Sequence, residues 1–552
     1  MSELNNFYKR FVNEEFDDKG NLVKFELNTP DNYNFSYDVI DEIAKTHPDK
    51  VAVYWMNEKG EEHKFTFKEL SEKSNQVANM FLAHGAKKGD MVMAVLKRHY
   101  EFWFLVYGLM KIGVVIIPAT DQLMTKDYVY RFESASVKYV VATGEGHTVS
   151  EIEASFEKYN GIEEKFIVHG EKEGWTNFLS EVEKFPKTLE RVETQVDEPM
   201  LLYFSSGTTG YPKMVLHSYY YTASHILTAK HWHHVDENSL HLTISDSGWG
   251  KCAWGKLFGQ LTCGATVLVY DFDRFNPADM LKTIQDKKIT SFCAPPTMYR
   301  FFIKEGIENY DLSNLKYATI AGEALNPEVF NKFYEYTGIK LMEGFGQTET
   351  VLAVANLYGM EPKPGSMGKP VPLYNVDIVD EEGNSLPNGE VGEMVVRTDG
   401  RYHKALFKEY YRNPEATEKA WHDNIYHTGD TAWRDEDGYF WYVGRTDDLI
   451  KASGYRIGPF EIESVLMEHP SVLECAVTGA KDPIRGNVVK ATIVLAKGWT
   501  GSDELVKELQ TYVKNATAPY KYPRIVEFVD ELPKTISGKI RRTEIRAKDN
   551  NK

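Results

Sequence analysis

The stretch MVMAVLKRHYEFWFLVYGLMKIGVVIIP, residues 91–118, decides the fold. Its ends, 91–96 and 114–117, are short apolar runs rich in β-forming residues. Between them Phe102 opens a strongly apolar segment that is broken by Lys111 and Gly113. A membrane span needs about 20 apolar residues in a row, so this piece reads as a buried helix running into a strand. Strand, helix and strand in succession form the unit of a parallel α/β sheet.

The same texture extends in both directions. VAVYWM (51–56), KYVVA (138–142) and KFIV (165–168) are further strand-like runs, and Phe67–His84 carries apolar residues at helical spacing. The alternation resumes with TVLVY (266–270), ITSFC (289–293) and YATI (317–320). From about residue 376, VDIVDEEGNSLPNGEVGEMVV reads as two β runs joined by Gly, Asn and Pro turns, a small antiparallel unit. The tail of the chain reads as α+β: a helix over 458–468 between Pro459 and Pro470, strands at 473–478 and 488–495, a helix at 502–514 and a strand at 524–529. The fold class expected is α/β, with a large N-terminal domain of mostly parallel sheets and a β-rich subdomain, then a small α+β C-terminal domain.

A chain of 552 residues exceeds what one hydrophobic core covers. Its net charge of -17 argues against nucleic acid or an anionic membrane as main partner. The four cysteines, Cys252, Cys263, Cys293 and Cys475, form no C-x-x-C pair, so neither a zinc knuckle nor a disulfide framework is expected. The N-terminus MSELNNFYKRFVNEEF is acidic and has no apolar core, unlike a targeting peptide. A cytoplasmic monomer or homodimer without stable membrane insertion is the expectation.

Five stretches carry chemistry. Ser205-Ser-Gly-Thr-Thr-Gly-Tyr-Pro-Lys213 follows the apolar run Met200–Phe204. Its glycines let the backbone turn N–H groups toward an anion, its hydroxyls add donors and Lys213 adds charge, which suits a polyphosphate. It is not a Walker A loop, because Pro212 stands where that motif continues. Glu343-Gly-Phe-Gly-Gln-Thr-Glu-Thr350 follows a strand-like run, which brings its polar groups to a strand end. There Thr348 offers a hydroxyl and Glu349 a hard oxygen ligand for Mg²⁺. Tyr426-His-Thr-Gly-Asp430 puts a carboxylate beyond a tight turn, suited to a ribose diol. Gly444–Arg456 and the basic turn Pro533–Arg542 complete the set. Taken singly, each also reads as a capped turn or a solvated charged loop.

Together, in this order, the five resemble the adenylate-forming superfamily of acyl-CoA synthetases, peptide-synthetase adenylation domains and luciferases. The resemblance runs from about residue 35 to 546 and is strongest to medium-chain acyl-CoA synthetases, through KPGSMGKP (363–370), SGYRIGPFEIE (453–463), DPIRG (482–486), TAPYKYPR (517–524) and ELPKTISGK (531–539). It implies two half-reactions: a carboxylate attacks ATP to give an acyl-adenylate and pyrophosphate, and coenzyme A then displaces AMP.

The resemblance also assigns roles. Lys539 reaches the α-phosphate and the acid. Ser205, Ser206, Gly207, Thr208, Thr209, Gly210 and Lys213 hold the outer phosphates. Thr348 meets the α-phosphate and Glu349 binds Mg²⁺. Gly322, Glu323 and Ala324, with Glu343, Gly344, Phe345, Gly346 and Gln347, line the nucleotide. Asp430 binds the ribose with Arg445, and Arg456 touches phosphate. Asp447, in the charged turn Arg445-Thr-Asp-Asp448, is the hinge about which the mobile C-terminal domain turns between half-reactions, which divides the chain into domains 1–446 and 447–552. Ser453, Gly454, Tyr455, Gln122, Arg485, Lys514, Tyr522, Pro523 and Arg524 match positions that contact coenzyme A.

For the acid, acetyl-specific relatives carry a tryptophan where this chain has Gly346, so a longer or bulkier acid is expected. Trp232, Trp249, Lys251, Trp254 and Cys293 resemble the rest of the pocket wall. Lys251 is read as either reaching solvent or facing a polar end of the substrate. It is shared with methanogen-type medium- and branched-chain enzymes, which favours a medium-chain or short branched acid; an aromatic acid such as benzoate, or another acyl acceptor, is the alternative. His231-Trp-His-His234 lacks companions at metal-ligand spacing. A non-catalytic sensor on the same fold is disfavoured because Lys539 and Asp430 are both retained.

Overall fold

A computed structural model describes residues 3–205, 211–400, 403–452, 455–482, 486–534 and 540–550. Among them the opening stretch forms the expected unit: strand Met91–Val95, helix Glu101–Lys111 and strand Val115–Pro118, the two strands parallel with Met93 opposite Ile117. Every residue of that helix is buried. Lys111, read as an interruption, ends the helix in the interior, where its ammonium meets Asp41 Oδ1 at 2.8 Å and Asn75 Oδ1 at 2.6 Å. A buried ammonium persists only with such partners. The preceding helix, Phe67–Ala83, begins at a capping box in which Thr66 and Glu69 exchange hydrogen bonds.

The alternating units build two sheets rather than one. An eight-stranded sheet runs, edge to edge, through 409–410, 213–218, 199–205, 115–118, 91–95, 139–143, 164–168 and 176–177. A nine-stranded sheet runs through 369–370, 354–355, 341–345, 317–320, 291–294, 240–243, 266–271, 51–57 and 62–66. Both are parallel in the middle and antiparallel at an edge, as expected of mostly parallel sheets. Strand Val51–Asn57 joins the second sheet beside Thr266–Asp271, with Val53 opposite Val267. The run ITSFC (289–293) forms strand Ser291–Ala294, beginning two residues later than its apolar pattern suggests.

The β-rich unit is antiparallel: Asn375–Val379, Gly392–Arg397, Ile425–Arg434 and Phe440–Arg445 pair in succession. Beyond it, Val472–Asp482 and Gly486–Leu495 form a long hairpin, with Ile525–Phe528 added in parallel. Helices Pro459–Glu468 and Asp503–Ala516 cover that sheet with Ile462, Leu466, Leu505, Leu509 and Val513. This is the α+β module expected at the C-terminus, and it has its own core.

Candidate active site

The polar loops converge at strand ends. Strands Pro199–Ser205 and Lys213–Ser218 are antiparallel neighbours, with Ser205 opposite Lys213. Ser206, Gly207, Thr208, Thr209 and Gly210 lie outside the described residues. Lys213 extends from the loop exit over the Tyr410 ring, 4.4 Å from its centroid. Desolvation there lowers the pKa of its ammonium, against the pull of Glu349 and with the repulsion of Arg445. The Tyr410 hydroxyl donates to Glu349 Oε1 at 2.7 Å, so lysine, tyrosine and glutamate form one connected row.

Strand Leu341–Phe345 delivers the next group. His217, on the strand that leaves the loop, donates from Nε2 to the Thr348 carbonyl at 2.8 Å. Burial lowers the pKa of this imidazole to about 4, so it remains a neutral donor at pH 7. Gln347 is gripped on both ends of its amide: Oε1 accepts from Tyr426 Oη at 2.7 Å, and Nε2 donates to the Thr428 carbonyl at 2.7 Å and to Asp430 Oδ2 at 2.5 Å.

Asp430 is 4% exposed and opposes Arg445 directly across the antiparallel ladder. Tyr442 Oη donates to its Oδ1 at 3.0 Å, and Arg445 Nη1 lies 3.5 Å from Oδ2. The turn before it needs a glycine: Gly429 has φ +69°, and a Cβ there would meet Arg445 Nη2 at 2.9 Å. Carboxylate, amide, phenol and guanidinium thus form a pre-organised polar patch beside Thr348 and Glu349. Sequence reading missed His217, Tyr410 and Tyr442 and gave Tyr426 no role. The signal available was register, since Tyr442 stands three residues before Arg445 on the strand paired with Asp430.

Glu343 sits at the inner end of this row. It is 3% exposed, and its Oε1 accepts the Leu325 N–H at 3.2 Å. Leu325 closes the turn that carries Gly322, Glu323 and Ala324, with Gly322 at φ +110°. Gly344 and Phe345 follow on the strand, and the Phe345 ring lies 6.4 Å from that of Tyr442.

Of the residues matched to an acyl pocket, Trp232, Trp254 and Gly346 meet. The two indoles are edge to face at 6.2 Å, each on a π-helical turn, Leu227–Trp232 and Ala253–Leu257. A Cβ on Gly346 would stand 2.4 Å from the Trp254 indole. The space directly beside Gly346 is therefore taken by an indole from another element. Lys251 is partly buried, and its Nζ donates to the Ala321 carbonyl at 2.9 Å. Cys293, 1% exposed, contributes to the electrostatics of Lys251, whose pKa burial lowers. Trp249, at the cap of Gly250–Cys252, is partly buried.

On the C-terminal module, Lys514, Tyr522 and Arg524 form one face. The Lys514 ammonium is 5.7 Å and the Arg524 guanidinium 5.0 Å from the Tyr522 ring centroid, with Pro523 buried between. Gln122 is exposed. Tyr455 and Arg456 belong to strand Tyr455–Ile457. Lys539, Ser453, Gly454 and Arg485 lie outside the described residues. Asp447 follows strand Phe440–Arg445, with Oδ1 3.6 Å from Arg445 Nε.

Two α/β sheets, a β-rich unit and a small C-terminal module, with these groups at their junction, define an adenylate-forming enzyme. The sequence profile of AMP-binding enzymes matches residues 40–411, and that of the AMP-binding enzyme C-terminal domain matches 461–539. The chain belongs to the AMP-binding enzyme family. It is 42% identical over 540 residues to the mitochondrial acyl-coenzyme A synthetase ACSM4 of Rattus norvegicus, covering 96% of this chain and 93% of the relative. It is 41% identical over 535 residues to the mitochondrial synthetase ACSM3 of Homo sapiens, covering 95% and 91%. Among solved structures it resembles the anthranilate CoA ligase AuaEII in complex with anthranoyl-AMP, at TM-score 0.86 and 29% identity over 95% of this chain and 98% of that one. It also resembles a benzoate CoA ligase from Burkholderia xenovorans, at TM-score 0.82 and 26% identity over 93% and 100%. The expectations of the fold class and of an AMP-forming acid–thiol ligase using ATP and coenzyme A are borne out. No helix among the described residues is long and apolar enough to cross a membrane.

Proposed function

We propose that the protein converts a medium-chain or short branched carboxylic acid into its coenzyme A thioester, with domain rotation about Asp447 separating adenylation from thioesterification. The observation that carries the nucleotide half is the clamp on Asp430, in which Gln347, Tyr442 and Arg445 fix the carboxylate beside Thr348. A fixed carboxylate suits both hydroxyls of a ribose, and Thr348 then stands toward the α-phosphate. Attack by the acid builds charge on the phosphoryl oxygens, and catalysis is positioning plus cationic stabilisation. Lys213 and Lys539 supply that charge.

Mg²⁺ takes few protein ligands and completes its shell with water and substrate phosphates. A single carboxylate, Glu349, held by Tyr410, fits that donor set. Bound there with ATP, the ion neutralises phosphate charge. The cationic face of Lys514, Tyr522 and Arg524 suits the phosphates of coenzyme A, since Arg pairs with phosphate bidentately. The domains divide at 446/447, and a reducing cytoplasm suits four unpaired cysteines.

The acid is read from the Trp232–Trp254–Gly346 contact. With the indole of Trp254 against Gly346, the pocket is bounded early, which favours compact or branched acyl groups over long straight ones. A kcat/KM profile over straight acids from acetate to decanoate, branched acids and benzoates tests this. A maximum at the long straight acids, or at benzoate, overturns the reading of the acid. Lys539→Ala should abolish acid-dependent ATP–pyrophosphate exchange while leaving thioester formation from supplied acyl-adenylate intact. Exchange at the wild-type rate in that variant removes Lys539 from the first half-reaction.

A further inference from the structure

The turn over residues 321–325 is held at both ends by side chains from elsewhere in the fold. At one end Lys251 Nζ donates to the Ala321 carbonyl at 2.9 Å. At the other, the Leu325 N–H donates to Glu343 Oε1 at 3.2 Å. Glu343 is buried, and its Oε2 meets no hydrogen-bond donor among the described residues. Its own carbonyl is tied down by Asn356, through N at 2.9 Å and Nδ2 at 3.3 Å.

Among the described residues, the elements around Glu343 offer no cation to it. Glu323, on the turn itself, accepts from Thr297 Oγ1 at 3.0 Å, and Lys251 is engaged with Ala321. On helix Pro327–Thr337, Glu328 and Lys332 pair with each other at 2.9 Å. On the neighbouring strand Tyr317–Ile320, the Tyr317 hydroxyl is buried, and its pKa is raised by desolvation. An isolated carboxylate in such surroundings is strongly disfavoured against the neutral acid.

We propose that Glu343 is a positioning residue that works as a neutral carboxylic acid, fixing the turn 321–325 as the wall against which adenine packs. This rests on the reading of 322–324 as the adenine wall. Burial raises the pKa of the Glu343 carboxyl to about 8, and the single N–H from Leu325 lowers it only in part. The proton therefore stays on through neutral pH and leaves above about 8. Once ionised, the group needs water or a second donor, and the turn must open to admit one. ATP binding weakens as a consequence, while the chemistry of bound substrates is untouched.

The test is acid-dependent ATP–pyrophosphate exchange in wild type and Glu343→Gln, with KM for ATP and kcat measured separately between pH 7 and 9. The amide is neutral at every pH and keeps an acceptor for Leu325. Expected in wild type is a rise in KM for ATP of about tenfold at one unit above the pKa, with kcat nearly constant. In Glu343→Gln the KM stays flat. A parallel rise in both proteins, or a flat wild type, overturns the inference. An infrared difference spectrum of wild type across the same range gives a readout that needs no variant. A protonated-carboxyl C=O band must disappear near pH 8, and its absence at pH 7 sinks the idea. A wild type with no exchange at pH 7 removes the adenylation reading itself, whereas exchange with a flat KM removes only the role of Glu343.

Discussion

Asp448 accepts a hydrogen bond from Arg546 Nη1 at 2.6 Å, and Arg542 Nη1 lies 3.6 Å from its other oxygen. One residue earlier, Asp447 faces the other way, 3.6 Å from Arg445 Nε. Adjacent carboxylates are thus gripped by different modules, Asp447 by the strand that ends at Arg445 and Asp448 by the C-terminal helix Arg542–Asn550. We propose that the modules turn relative to one another about the link from 446 to 448, as a hinge requires.

Replacing Asp447 by proline fixes φ near −65° and removes that freedom. Adenylate formation should stay within about threefold of wild type, and thioester formation should fall at least about tenfold, because only the second half needs rotation. Exchange assays for the first half and coenzyme A-dependent release of AMP from supplied acyl-adenylate separate the two. Equal losses in both would count against Asp447 as the hinge.

Tyr426 donates a hydrogen bond of 2.7 Å to Gln347 Oε1. Tyr426→Phe frees one end of the Gln347 amide, which then holds Asp430 less firmly. A net hydrogen bond is worth about 1 kcal/mol, so KM for ATP should rise about fivefold with kcat little changed. Steady-state kinetics at saturating acid check this, and an unchanged KM removes Gln347 from the ribose site.

Gly346 and Trp254 make an opposed pair. Gly346→Ala drives a methyl to 2.4 Å from both the Trp254 indole and the Val351 carbonyl, an overpacking that should cost about 1–3 kcal/mol of stability. Trp254→Ala should instead admit longer acids, with the kcat/KM maximum moving by several methylenes at about 0.8 kcal/mol each. Urea melts read the first and a chain-length series the second. An unmoved chain-length maximum takes Trp254 out of the pocket.

Strand and helix identities were legible because apolar runs and spacing report local structure directly, as at Met91–Val95 and Phe67–Ala83. The pairing of Val51–Asn57 with Thr266–Asp271 was not, since nothing local in either strand names its neighbour more than two hundred residues away. Motif wording gave Asp430, Thr348 and Glu349, whose chemistry is in the side chain itself. Tyr410, Tyr442 and His217 escaped because their importance lies in whom they touch. Lys251 shows the same limit: its charge invited a reading toward solvent or substrate, and its partner is a backbone carbonyl reached only through the tertiary fold.

The interior behind the site contains four buried imidazoles, His217, His225, His233 and His241. Burial lowers His217 to about 4 and His241 to about 3, and it holds His225 and His233 well below the ordinary histidine value. The folded state therefore keeps them neutral, whereas the unfolded chain takes up protons near pH 6.5. The stability is present in full above pH 6.5 and is lost as pH falls toward the folded values. Between pH 7 and 5 each such histidine should cost about 2 kcal/mol. Buried Glu343 acts in the opposite direction, because its raised pKa makes the folded state the better proton binder there. Histidine and glutamate contributions are separated by His225→Phe, a ring of similar size that still packs on Tyr221 and Phe258. Urea unfolding of both proteins at pH 7 and 5 should show the variant losing about 2 kcal/mol less on acidification. Identical losses would mean that His225 is charged, or solvated, in the folded protein.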